Sequence, residues 1–315
     1  MGLMLSRTAD SLFWTARYLE RADFLARILD SALRLSTMPA AYGGENLWAS
    51  VIASAGVANA FYARHQAASE RTVRDFLAFD AGNPSSIYSC IATARANGRA
   101  VRTALTMEMW ERINSAWLEL QNQNAARMGR LAFTQFLEWV EDVTLAFDGS
   151  ARRTMLRNDA YWFLRLGGAV ERADNTARIL DVKYHLLLPA REQVGGGLDH
   201  FQWTTILREV SALTAYHWVY RDSVKPWLVA DLLILNPQMP RSLASSYEVI
   251  VSSLDQLAEA YGKRGQSQRL AHRVQSQLSS SRIDDIFQSG LHEFITGFLA
   301  DNSTVATAIA EQYLV

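Results

Sequence analysis

Glu20-Arg21-Ala22-Asp23, followed by Ala26-Arg27-Ile28-Leu29-Asp30, returns as Glu171-Arg172-Ala173-Asp174 with Ala177-Arg178-Ile179-Leu180-Asp181, nine of eleven positions being identical at an offset of 171 − 20 = 151 residues. Arginines at these spacings can grip a carboxylate or phosphate through paired N–H groups, and the acids can hold an amine or a metal or move a proton. The candidate ligand- or partner-binding residues are therefore Glu20, Arg21, Asp23 and Arg27 in one copy, and Glu171, Arg172, Asp174 and Arg178 in the other.

On a helical wheel Tyr18, Ala22, Ala26, Leu29 and Leu33 gather on one side, and Glu20, Asp23, Arg27 and Asp30 gather opposite, with Arg21 apart from both. Three readings stay open. The stripe is a solvated face laced with i,i+4 and i,i+3 pairs, each contributing a few tenths of a kcal/mol. Alternatively, the two helices cross at Ala22, Ala26, Ala173 and Ala177 and their acids and arginines form a reciprocal buried network, which is architecture. Or the stripes line a cleft between the copies, with Glu20 and Glu171 as acid-base groups of an enzyme in its own right. Pairs as weak as the first reading supposes do not require the same residue types, yet five charged types persist in both copies while Leu25 has become Thr176.

The elements that must carry these stripes are helices. Six prolines in 315 residues leave long uninterrupted stretches, and periodicity predicts helices over 6–36, 46–68, 85–121, 127–147, 156–188, 201–219, 241–261, 267–280 and 283–312, the last broken near Asn302-Ser303. A short strand candidate covers Leu232–Leu235. Further landmarks repeat in order: Pro39 with Pro189, Gly43-Gly44 with Gly195-Gly196-Gly197, Trp48 and Phe61 with Trp203 and Tyr216, Phe76-Leu77 with Trp227-Leu228, and Pro84-x-Ser86-Ile87 with Pro240-x-Ser242-Leu243. The fold class read from this is all-α, two tandem helical repeats forming a pseudo-symmetric bundle, with repeat 1 over 1–150, repeat 2 over 151–315, a seam at Asp148-Gly149-Ser150 with Arg152-Arg153, and matching loops at Met38–Glu45 and Pro189–Asp199.

Composition narrows the function classes. A net charge of −1 argues against a nucleic-acid surface or a polybasic membrane patch, and 49% hydrophobic residues suffice for a globular core. The single cysteine, Cys90, forbids an internal disulfide and a cysteine-rich metal site, which fits a reducing compartment. The start lacks a basic segment followed by an apolar one, and no apolar run approaches a membrane span, so a cytoplasmic location is expected. Gly2 with Ser6 formally fits an acylation pattern that nothing else supports.

Specific chemistry has little signal. No Gly-x4-Gly-Lys-Ser/Thr loop occurs, and Gly195-Gly196-Gly197 and Gly262-Lys263-Arg264-Gly265 read as turns. No Glu-x-x-His occurs, so a di-iron bundle site is not expected; Asp181 and His185 read as an acid-base pair near a helix end, and no cofactor or metal is expected. Ser86 and Ser242 suit helix N-caps, Cys90, His217 and His292 suit packing, and the nine tryptophans suit the core, with any exposed subset marking a protein interface.

Met4-Leu5-Ser6-Arg7-Thr8-Ala9-Asp10-Ser11-Leu12-Phe13-Trp14, then Arg17-Tyr18-Leu19-Glu20-Arg21-Ala22, and in the second copy Phe163-Leu164-Arg165-Leu166-Gly167 with Val170-Glu171-Arg172-Ala173, resemble the bacterial alpha-E family, named for its helices and Glu-Arg motif. The resemblance covers the whole chain except Met1–Leu3. It implies company more than chemistry: such proteins are encoded beside, or fused to, a circularly permuted ATP-grasp protein, often with a transglutaminase-like protease nearby. The implied function is a non-catalytic or co-catalytic subunit of an ATP-grasp peptide or amide ligase system, presenting substrate or binding the ligase. A purely structural helical scaffold is the remaining alternative.

Overall fold

A computed structural model describes residues 4–37, 47–123, 128–186 and 197–314, with the side chains of 182–186 and 197–199 outside that description. Two long helices dominate. The first, α1 (Ser6–Leu35), contains neither proline nor glycine, and nineteen of its thirty residues are buried. A helix this enclosed has little amphipathic contrast, because protein covers both its apolar and its charged stripes. The second long helix (Asp159–Leu186) is seventh among those that follow.

In chain order they are α2 (Leu47–Ser54), α3 (Ala58–Tyr62), α4 (Glu70–Arg74, running into a π turn over Asp75–Phe79), α5 (Ile87–Ala100), α6 (Met107–Gln121), α7 (Arg130–Thr154) and α8 (Asp159–Leu186). There follow α9 (Gly197–Glu209), α10 (Leu213–Tyr220), α11 (Pro226–Ile234), α12 (Leu243–Tyr261), α13 (Gln266–Ser280), α14 (Ile283–Ser289) and α15 (Leu291–Ile309), which ends in a π turn over Ala310–Leu314. No strand occurs among the described residues.

The core lies along the α1–α8 contact. Around it, α5 and α7 pack on α1, with α6 touching both; α12 and α15 pack on α8, with α13 touching both. The short helices cross over, α2 reaching α8 and α9 reaching α1. Close approach of the two long helices depends on Gly167, where an added Cβ would collide with the Phe13 carbonyl oxygen. Ala22, Ala26, Ala173 and Ala177 are wholly buried along the same contact.

Several expected boundaries move. The 46–68 helix is broken at Gly56, whose φ of +68° ends α2. The 85–121 helix stops at Ala100, and Thr106 restarts it by capping α6. Asp148-Gly149-Ser150 and Arg152-Arg153, expected at a seam, lie inside α7, which leaves the helix only at Met155. The 201–219 helix begins at Gly197 and is interrupted at Ser211, which holds φ +54°. The last helix breaks at Gly290, with φ +103°, and not at Asn302-Ser303. Asn302 stays helical because its side chain is engaged: it accepts from Tyr247 Oη at 3.0 Å and donates to the Val170 carbonyl at 3.2 Å. The strand candidate Leu232–Leu235 is the end of α11 and its cap, since a short buried apolar run has no periodicity to tell the two apart. The segments Met38–Glu45 and Pro189–Gly196 lie outside the described residues, and Gly197–Asp199 open α9.

Candidate functional site

Where α1 and α8 meet, each Glu-Arg motif reaches for the other. Arg172 grips Glu20 with both edges of the pair, Nε donating to Oε1 at 2.9 Å and Nη2 to Oε2 at 2.6 Å. In return Arg21 Nε donates to Glu171 Oε1 at 2.6 Å, and Arg17 Nε takes the other oxygen at 2.8 Å. Glu20 also has a second arginine: Arg241, just before α12, donates through Nη1 to Glu20 Oε1 at 3.2 Å and through Nη2 to Asp23 Oδ2 at 2.6 Å. Each motif glutamate thus sits between two guanidiniums. Arg17 is braced on the Trp14 ring, 4.7 Å from its centroid, and Arg21 donates to Ser85 Oγ at 3.4 Å.

Both glutamates are buried, so the Glu-Arg half of neither motif is solvated. Burial alone would push the Glu171 carboxyl up, but Arg21 and Arg17 outweigh it and hold the group below the usual carboxylate range. Asp23 follows the same logic: burial opposes its charge, and Arg241 and Arg27 overcome it. The Glu20 charge in turn raises Arg172 above its ordinary value. A carboxylate so held stays ionised at neutral pH, and its oxygens already accept charged hydrogen bonds. This is the chemistry of a clasp, with no proton to give.

Two apolar positions changed between the motifs, Phe24 to Asn175 and Leu25 to Thr176, and the structure gives a role to the second, Thr176. It is buried, and its hydroxyl donates to the Arg241 carbonyl at 2.8 Å, which fixes the loop that delivers Arg241 to Glu20 and Asp23.

One turn further on, the copies part. Arg27 is buried; it donates to Asp23 through Nε and Nη2 at 2.9 and 3.1 Å and reaches Ser211 Oγ at 2.7 Å and Glu141 Oε2 at 2.9 Å through Nη1. Thr144 donates to Asp23 Oδ1 at 3.2 Å. The counterpart Arg178 makes its i,i+4 bond to Asp174 at 2.6 Å, with 37% of its side chain exposed. Its guanidinium lies over Gly56, where an added Cβ would stand 2.8 Å from Nη1. Further along, Asp30 pairs with exposed Arg34 at 2.7 Å, while Asp181 accepts from His292 Nδ1 at 2.6 Å; the side chain of His185 lies outside the described residues.

Beside Arg27 a cleft of about 630 Å³ opens between α1, α7, α9 and α10, with Asp30, Glu141, Phe201, Glu209 and Ser211 in its wall. Burial pushes the Glu209 carboxyl up to about 8, and raises Glu141 despite Arg27. Asp30 Oδ1 is buried without a hydrogen-bond partner. Arg27, Arg34 and Arg208 stand in the same wall, so the groups it leaves for a positively charged or proton-donating partner are the free Asp30 oxygen and the Glu209 carboxyl.

Elsewhere, Ser86 and Ser242 are N-caps, accepting from the Ser89 and Ser245 amides at 3.1 and 2.9 Å. Cys90 is buried and its thiol is pushed up to about 12, which removes it as a nucleophile. His217 is exposed, contrary to a packing role, because it lies on the outer face of the short α10 beside Trp218. Trp203 is buried, whereas Trp218 and Trp227 are 78% and 47% exposed, so the tryptophans do not all serve the core. No group of three or more His, Cys, Asp or Glu residues is placed to hold a metal among the described residues, and none of their helices is long and apolar enough to cross a membrane.

Sequence reasoning missed Arg17, Arg241, Glu141, Glu209 and Ser211. Arg241 had a signal, being the variable residue of a repeated Pro-x-Ser turn, and so did Arg17, one turn before the motif. Glu209 had none. A family described as "Alpha-E: A predicted alpha-helical domain with a conserved ER motif" matches residues 4–314. No curated protein and no solved structure matches the chain.

Proposed function

This chain belongs to the alpha-E family, and from that membership we propose that it is a non-catalytic helical subunit of a cytoplasmic ATP-grasp peptide or amide ligase system, built to present substrate or to dock the ligase. The observation that carries the reading is the reciprocal clasp: Glu20 and Glu171, the residues a stand-alone enzyme would use as acid and base, are each closed off between two arginines. Their value is positional. The clasp locks α1 to α8 and gives a partner a fixed frame, while the ATP-grasp component binds nucleotide and drives ligation, with a transglutaminase-like protease processing the product. In this reading the two halves are tandem repeats, supported by the matched packing of α1 and α8 among their neighbours.

A second reading, in which the chain itself holds the amine to be ligated, is favoured by one observation: the Asp30 and Glu209 carboxyls in the wall of the 630 Å³ cleft. Both readings meet the same test. The chain is co-expressed with the neighbouring circularly permuted ATP-grasp protein, purified by a tag on one of them, and assayed for ATP-dependent amide formation with and without the chain. Co-purification and ligation that needs both proteins is expected, with no turnover by the chain alone. An ATP-grasp protein that ligates at the same rate without the chain and never co-purifies with it contradicts the proposal.

A further inference from the structure

The clasp is closed differently on its two flanks. On the α1 flank Arg17 lies one turn before the motif glutamate and fills the space beside Glu171. The repeat offset puts Gly168 at the matching place in α8 (17 + 151 = 168), so that place carries no side chain. There the structure holds a cavity of about 70 Å³, lined by three carboxylates, Glu20, Asp23 and Asp148, and three guanidiniums, Arg165, Arg172 and Arg241, with Gly168, Thr144 and apolar residues of α1, α7, α8 and α12. A methyl group added at Gly168 would come no closer than 3.9 Å to another atom, Ala16 Cβ.

The wall's charges are unequal in how they are met. Glu20 accepts from Arg172 and Arg241, Asp23 from Arg241 and Arg27, and Asp148 at the rim from Arg152 at 2.8 Å. Arg165 is the exception. Only 17% of its side chain is exposed, and its nearest carboxylate oxygen, Asp148 Oδ1, stands 3.9 Å away, beyond hydrogen-bond reach. Burial, and then the neighbouring Arg152, pull its guanidinium down to about 10, with Arg172 and Arg157 adding to the effect. A half-buried guanidinium with five donors and no hydrogen-bonded acceptor, whose one ion-pair partner Asp148 is shared with Arg152, keeps donor capacity for a further anion.

We propose that this cavity is a binding site for a small oxyanion, a carboxylate or phosphate group, gripped by Arg165 with Arg172 and Arg241 and admitted by the missing side chain at Gly168. The volume suits one such group and no whole nucleotide. The anion would bridge α8 to the loop before α12, on the flank where Glu20 is held. The site does not depend on a ligase partner, so it can fail while the functional reading stands.

The test is thermal unfolding of the full chain in sodium phosphate, sulfate and acetate, each against sodium chloride at equal ionic strength. A bound oxyanion raises the melting temperature by roughly 2–4 °C for each tenfold increase in its concentration beyond saturation. Phosphate and sulfate responding together assigns a tetrahedral anion, and acetate responding assigns a carboxylate. Arg165→Gln should abolish the response. Gly168→Ala, which suits a helix better than glycine, should fold at least as well as the parent and weaken the response at least tenfold in concentration, so the test survives if the arginine variant fails to fold. A chain that responds no more to any oxyanion than to chloride, or variants that respond as the parent does, would overturn the site.

Discussion

In α1 the pair Asp23–Arg27 is enclosed by Arg241, Glu141, Thr144 and Ser211, whereas in α8 the matching pair Asp174–Arg178 forms one i,i+4 bond, partly in solvent. The residue types are the same and the offset is constant. The difference lies in what each pair meets. Arg241 answers to Ser85 in the repeated Pro-x-Ser turn, and Ser211 answers to Gly56 at the offset shared by Trp48 and Trp203 (56 + 155 = 211). These two changed positions outside the motif, together with Glu141 and Thr144 of α7, enclose the first pair in a buried network, and the second stays a surface pair. The Glu-Arg half escapes this divergence, because Glu20 and Glu171 take their first arginine from each other's helix.

The largest effects should come from the shared half. Glu171→Gln leaves Arg17 and Arg21 facing a neutral amide in a buried site, and should lower unfolding free energy by about 3–5 kcal/mol in denaturant titration. The same variant should change the acid limb of stability. A carboxylate held below its ordinary value of 4.5 contributes stability that is present above that pH and lost as pH falls through its folded value, so the parent should lose stability steeply in the acid range and the variant less so.

Asp23→Asn breaks bonds from Arg27, Arg241 and Thr144 and should cost about 3 kcal/mol, while Asp174→Asn should stay within about 0.5 kcal/mol. Equal costs would mean that the two environments do not differ in the way their geometry indicates.

These contrasts show what the sequence could and could not disclose. The long central helices and the pairing of Ala22, Ala26, Ala173 and Ala177 were legible, since a helix period and small residues at a crossing are local signals. The wheel placed Glu20, Asp23 and Arg27 opposite the apolar stripe but could not say whether water or protein covers that face. That answer comes from α7 and from the loop before α12, far away in sequence. Breaks at Ser211 and Gly290 were missed because helix-forming residues flank both, and the fall of α10 and α14 into short pieces is settled by tertiary packing. Glu209 was illegible, its character coming wholly from burial in the cleft.

A smaller effect, of opposite sign, is expected there. Glu209 has its folded value raised to about 8 from an ordinary 4.5, so the stability associated with its neutral form is present below pH 4.5 and lost as pH rises toward 8. Glu209→Gln should flatten that part of the pH profile and, since the group keeps some access to the cleft, gain about 1–2 kcal/mol at pH 8. A variant with the parent's pH profile would show that Glu209 is solvated. The smallest effect belongs to Ser211→Gly, which makes this turn like the one at Gly56. It relieves a left-handed serine and loses the Arg27 hydrogen bond, and the two should cancel to within about 1 kcal/mol. A larger loss would give the hydroxyl a greater part in holding Arg27.

The central claim is that the two motifs hold one another, and a double-mutant cycle on Glu20 and Arg172 addresses it most directly. Glu20→Gln, Arg172→Gln and the double variant are unfolded in denaturant alongside the parent. Reciprocal clasping predicts a coupling energy of about 1–3 kcal/mol, with the double variant far less damaged than the sum of the singles. Singles whose costs add to within about 0.5 kcal/mol would contradict it.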